Sequence, residues 1–201
     1  MKRVPTLAVA ALLAIALPVI AGVNGGEFDS MPLGPYQGPA DILEGDPNNV
    51  QIRPVDAGTS HGAPIPPGAM GNMLCVDAVN KSSRIVVEFT FSCDPVTGGV
   101  CEVSYDFSVA QWSGSGVEVF VDPMGDYSNP SDVIDLPVGF PPSTAAGDNT
   151  ETRGDCDGSS HTLTFVVFPG SILYLDNLTT TCLLPTDNDE STWGKVKVRY
   201  R

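Results

Sequence analysis

Short runs rich in Val, Ile, Phe, Tyr and Thr recur along this chain between clusters of Gly, Pro, Asn and Asp, and several of them alternate with a period of two. Val87, Phe89 and Phe91 fall on one side and Glu88, Thr90 and Ser92 on the other; Leu163, Phe165 and Val167 repeat the pattern, and Ile172, Tyr174 and Asp176 oppose Leu173, Leu175 and Asn177. Alternation of this kind places one face of a strand in a core and the other toward solvent. It predicts strands at residues 73–79, 83–93, 101–112, 116–122, 160–168 and 171–181. Helix signals are scarce after the first twenty residues, so the chain reads as all-β. Phe107, Trp112 and Phe120 are expected in the core. Residues 31–70 and 123–158, dense in Pro, Gly, Asp and Ser, read as two long loops.

The N terminus follows another rule. Met1-Lys2-Arg3, an apolar stretch ending at Ile20 and the small-residue pattern of Val19-Ile20-Ala21 together make a secretory signal peptide over residues 1–21, with cleavage before Gly22. Pro18 interrupts the apolar run before it reaches the roughly twenty residues needed to cross a bilayer, so the cleaved chain is not expected to be an integral membrane protein. Residues 22–182 then suit a single domain, residues 183–192 an acidic linker and residues 193–201 a basic tail. The formal net charge is −14, and losing Lys2 and Arg3 takes it to −16. Nucleic acid is excluded as a partner, because a phosphate backbone demands clustered Lys and Arg, and between Gly22 and Gly194 only Arg53, Lys81, Arg84 and Arg153 are basic.

Five cysteines in an exported chain predict disulfides with one thiol left over. Cys93 and Cys101 flank a turn-rich stretch between two strand-like runs, and a hairpin there brings them together. A two-residue turn at Pro169-Gly170 sets Phe168 opposite Ser171, and that register carries Cys156 to within about one residue of the position opposite Cys182. Cys75 is the remaining thiol, with exchange against Cys156 or Cys182 left open by spacing alone.

Glu27-Phe28-Asp29-Ser30-Met31-Pro32-Leu33-Gly34 resembles the opening of exported bacterial jelly-roll domains of the concanavalin-like and carbohydrate-binding-module-like type, and Leu173-Tyr174-Leu175-Asp176-Asn177-Leu178 resembles their last strand. Ser104-Tyr105-Asp106-Phe107-Ser108 and His161-Thr162-Leu163-Thr164-Phe165 stand where such domains place central strands. The resemblance covers about residues 26–182 and implies an antiparallel β-sandwich of jelly-roll type with long loops. It also implies that the opening and closing strands are neighbours, with Asp29 and Asp176 as candidate calcium ligands. Calcium asks for six to eight oxygens, and the competing reading makes Asp176 and Asn177 a strand-end cap.

Other motifs carry less. Asp155-Cys156-Asp157-Gly158 has the core of a calcium loop without its terminal Glu and reads better as a solvated turn. Asn80-Lys81-Ser82 and Asn177-Leu178-Thr179 have the form of glycosylation acceptors. His61 and His161 are the only histidines, which leaves neither a three-His zinc site nor an evident base for a serine. Ser113-Gly114-Ser115-Gly116 is a turn, and Glu88, Glu102 and Glu118 read as solvent-facing strand residues. No catalytic residue is assigned.

The tail Trp193-Gly194-Lys195-Val196-Lys197-Val198-Arg199-Tyr200-Arg201 resembles a short C-terminal motif of otherwise unrelated exported bacterial proteins, formed here by Trp193, Gly194, Lys197, Tyr200 and Arg201; that resemblance implies a sorting or attachment signal. Its alternation of Lys195, Lys197 and Arg199 against Val196, Val198 and Tyr200 suits strand addition to a partner, contact with an anionic surface, or a last strand docked on the protein's own acidic body.

The expectation is a secreted or cell-surface, non-enzymatic β-sandwich that binds a polysaccharide or cell-envelope component, with calcium as its one candidate cofactor. The alternatives are a structural surface or matrix protein sorted by its tail, and a carbohydrate-active hydrolase or lyase. A glycan platform would need aromatics such as Tyr105, Trp112 and Tyr127 exposed on one sheet face.

Overall fold

The computed structural model describes residues 19–21, 28–92, 99–139, 141–156 and 160–183. Among these residues twelve strands form two antiparallel sheets packed as a jelly-roll sandwich. In chain order they are β1 (Val19–Ala21), β2 (Gly34–Pro35), β3 (Asp41–Glu44), β4 (Val50–Pro54), β5 (Asn72–Asp77), β6 (Ile85–Ser92), β7 (Gly99–Gln111), β8 (Val117–Val121), β9 (Asp132–Ile134), β10 (Ser143–Cys156), β11 (Ser160–Val167) and β12 (Ser171–Leu183). One sheet runs β10-β7-β12-β5-β4-β2, with β1 beside the end of β12; the other runs β3-β6-β11-β8-β9.

The six strands expected from alternation are β5, β6, β7, β8, β11 and β12, with ends shifted by a few residues. Both long "loops" also hold strands. β2, β3 and β4 fall within residues 31–70, and β9 and β10 within 123–158. These are corrections with one physical cause: all but β4 are edge strands, and β4 lies beside one, where pairing to a neighbour satisfies the backbone and the side chains need not alternate apolar with polar.

The main core lies between the sheets. Ile85, Val87, Phe89 and Phe91 of β6 and Leu163, Phe165 and Val167 of β11 meet Val103, Tyr105 and Val109 of β7 and Leu173 and Leu175 of β12. Edge-to-face rings run through it, with centroids 6.2 Å apart for Phe28–Phe89, 6.0 Å for Phe89–Phe165 and 5.1 Å for Tyr105–Phe165. Two smaller clusters sit on the outer faces. Met73, Cys75, Ala110, Ile172 and Tyr174 are buried with Ala63 on the outside of the larger sheet, with Trp112 packed against them. Val86, Phe120 and Val166 form the other, under Tyr127 and Phe168. Phe107 packs against the main core, so the expectation for all three aromatics holds only in the sense that each packs in a cluster, three different ones.

The Pro169-Gly170 turn does not make a hairpin. It hands the chain from β11 in one sheet to β12 in the other, held by the Ser171 N–H donating to Phe168 O at 3.2 Å. Gly170 has φ +87°, and a Cβ there would collide with Ser113. The register argument for Cys156 with Cys182 therefore fails. Cys156 stands opposite Gly99, and Cys182 opposite Cys101 across the other edge of β7, so a whole strand separates them; two strand spacings, roughly 9.6 Å, exceed the reach of a disulfide. Cys101 is disulfide-bonded, while Cys93 and the side chains of Cys156 and Cys182 lie outside the described residues. Cys75 is a free thiol, buried in the outer cluster.

Candidate functional site

The opening and closing motifs do meet. Phe28–Ser30 forms a single 3-10 turn that drives Phe28 into the core and leaves Asp29 exposed at the surface. The Asn72 N–H donates to Asp29 Oδ1 at 2.7 Å, and the Asn72 amide reaches Asp29 O and Met31 O, each at 3.3 Å. Gly71, at φ +65°, makes room: a Cβ there would strike the Asp29 carboxylate. Across the gap, the β12–β7 ladder breaks between Asp176 and Thr179, and Asn177 takes φ +50°. That bulge turns Asp176 toward the N-terminal segment.

Asp176 is 5% exposed and accepts the N–H groups of Asn177 at 2.8 Å and Met70 at 3.1 Å. Asn177 Nδ2 donates to Asp106 Oδ2 at 2.6 Å and to Gly68 O at 3.2 Å. Burial pushes the Asp176 carboxyl above its ordinary range; its two N–H donors oppose the shift, and the nearby Asp29 and Asp106 carboxylates add to it. Asp29, Ser30, Asp176, Asn177 and Thr179 line one pocket of about 320 Å³ over Phe28 and Leu178. Two carboxylates and several further oxygens thus border one space, which suits a hard cation. Among the described residues no three His, Cys, Asp or Glu side chains converge as metal ligands.

The three aromatics proposed as a platform are scattered. Tyr105 is 1% exposed in the main core, Trp112 is half-buried against the outer cluster of the larger sheet, and Tyr127 is half-buried on the outside of the smaller one. A platform of all three is therefore excluded, because β-sheet alternation and the loop crossings send each ring to a different surface.

Tyr127 has a built setting of its own. Its ring meets Phe120 edge-to-face with centroids 5.3 Å apart, and the Arg84 guanidinium stands 5.1 Å from its centroid. Arg84 is held bidentately by Glu44, at 2.8 Å and 2.7 Å, which lowers the Glu44 pKa. Beside it Thr164 donates to Glu88 Oε2 at 2.9 Å, and Glu118 shares that face one strand away. Sequence reasoning missed this group, since Glu44 and Tyr127 lie in segments taken for loops.

The other acids and the two histidines are spread over both sheets. Glu88 and Glu118 lie on the smaller sheet and Glu102 on the larger. His161 Nδ1 lies 2.8 Å from Asp122 Oδ2 under the Phe91 ring, whereas His61, on the other sheet's side, stands 3.5 Å from Asp77 and edge-on to Trp112. A further polar cluster joins the two sheets: Asn149 of β10 donates to Tyr105 Oη at 2.9 Å, Asp132 at 2.9 Å and Glu151 at 3.2 Å. Trp193, Gly194, Lys197, Tyr200 and Arg201 lie outside the described residues.

No protein-family model matches the chain, and no curated protein matches it. Solved structures do. The K2 cleaved adhesin domain of Lys-gingipain is 14% identical, with 82% of this chain and 97% of that one covered at a TM-score of 0.46. The CBM22-1 xylan-binding domain of Paenibacillus barcinonensis Xyn10C is 14% identical over 86% of this chain and 100% of that one, at a TM-score of 0.44. A family 35 carbohydrate-binding module from Clostridium thermocellum is 11% identical over 84% and 99%, at 0.41. Among the described residues no helix is long and apolar enough to cross a membrane.

Proposed function

We propose that this chain is an exported, non-catalytic module that binds a polysaccharide through the outer face of its smaller sheet. The observation that carries the reading is the Tyr127 group: a half-buried ring fixed by Phe120 and Arg84, bordered by Glu44, Glu88 and Thr164. A sugar offers apolar C–H faces that pack on an aromatic ring and hydroxyls that pair with carboxylates and guanidinium, the combination found here. Calcium at Asp29 and Asp176 is part of the proposal and acts structurally, tying the first turn of the domain to its last strand. Residues 1–21 would direct export, to the medium or the cell surface.

Retention of the purified chain on a panel of immobilised polysaccharides, with calcium and with chelator, tests this. Tyr127→Ala should lose at least ten-fold in retention on the glycan that holds the wild type, with the thermal midpoint shifted by a few degrees at most. Equal retention of the variant, or no retention of the wild type on any glycan, sinks the reading. The structural surface protein sorted by residues 193–201 then takes its place. The hydrolase or lyase reading has less support, because Glu102 lies on the other sheet and no observation singles out the Glu88 and Glu118 pair as reacting groups.

A further inference from the structure

β10 is the outermost strand of the larger sheet. It pairs with β7 in unbroken register from Ser143 opposite Gln111 to Gly154 opposite Val100, and among the described residues its other edge takes no backbone hydrogen bond. An open edge of this length is a template for another strand. The competing edges are short: β2, β3 and β9 have two, four and three residues.

Three observations say what covers it. The first is charge. On the outward side of β10, Asp148 is exposed, with Asp106 opposite it and Glu102 nearby on β7. The second is shape. On the inward side Gly147 lets the Phe107 ring lie close over the backbone, where a Cβ would stand only 3.3 Å from it, and that ring is only partly buried. The third is chain path. β12 ends at Leu183 opposite Val100, the same level at which β10 ends, and the two strands run in the same direction on either side of β7. A chain leaving Leu183 and turning back therefore runs antiparallel to β10. Residues 184–194 can span roughly 35 Å, and the new edge lies three strand spacings away, about 14 Å.

We propose that residues 195–200 of the same molecule add to this edge as an antiparallel strand. Lys197 then stands beside Asp148, with Lys195 and Arg199 on the same outward side. Val198 stands beside Gly147 and covers the Phe107 ring, flanked by Val196 and Tyr200. Main-chain bonds supply the pairing, and the alternate side chains set the register.

A zero-length carbodiimide cross-linker on the purified full chain, followed by peptide mapping, tests the register: a Lys197–Asp148 link should form within one molecule, at a yield independent of protein concentration. Hydrogen exchange supplies the second readout. Val198→Pro should speed exchange of the β10 amides not bonded to β7 at least ten-fold and leave β6 and β11 unchanged. The proposal is overturned by the absence of that link, by a yield that rises with concentration, or by β10 exchange that ignores Val198→Pro. None of these outcomes depends on whether a glycan binds.

Discussion

Asp176→Asn separates the two readings of the pocket at the sandwich end. The carboxylate is buried, takes two backbone N–H bonds and lies near two other acids. Without a cation its ionised form is a cost. An acid whose folded pKa is raised is protonated more readily in the folded state, so its contribution to stability grows as the pH falls from its raised folded pKa toward the ordinary 3.8, and is lost as the pH rises again. Asn keeps the shape and one acceptor and removes the charge, giving up one charge-assisted bond of about 1.5–3 kcal/mol. In chelator at neutral pH the loss and the relief oppose each other, and the variant should melt within a few degrees of wild type. Calcium reverses the balance. At one hundred times its dissociation constant a cation that binds only the folded state adds about 2.7 kcal/mol, which for a domain of this size is roughly 5–11 °C in thermal midpoint. The assay is differential scanning fluorimetry of both proteins at pH 7, with millimolar calcium and with chelator. Wild type should gain those degrees and Asp176→Asn should gain none. A wild-type midpoint indifferent to calcium, or a variant that keeps the full shift, refutes a cation between Asp29 and Asp176 and leaves them as a turn and a strand-end cap.

Further outcomes follow from the same geometry. Cys75, buried and with its thiol pushed up to about 11, should resist Ellman's reagent at pH 8 in the folded protein and react once urea unfolds it. Phe89→Ala removes the ring that touches both Phe28 and Phe165 and should lower stability by about 3–5 kcal/mol in chemical denaturation; a loss under 1 kcal/mol contradicts the described core. Glu151 is also raised, chiefly by burial, so Glu151→Gln should flatten the gain in stability that wild type shows as the pH falls toward 4.5; an identical pH profile in the two proteins removes Glu151 from that gain.

Alternation alone determined the all-β class, the six central strands and the core-facing residues of β6 and β11. Period two in Val87, Phe89, Phe91 and in Leu163, Phe165, Val167 has one physical solution, a strand with one face buried. The opening and closing motifs likewise brought Asp29 and Asp176 to one pocket. Tertiary structure decided the rest. β10 carries Thr, Ala, Gly, Asp and Asn in place of an apolar stripe and is a strand because β7 offers it a ladder, a non-local fact. The Pro169-Gly170 turn could have closed a hairpin, and only the packing of two sheets made it a crossing, which moved Cys156 away from Cys182. Tyr127 and Glu44 lie about forty residues from Arg84 and Glu88 in the chain and meet them only through the tertiary structure, on the outer face of the smaller sheet. Local sequence encodes which face of an element is apolar; it does not encode which distant element that face will meet.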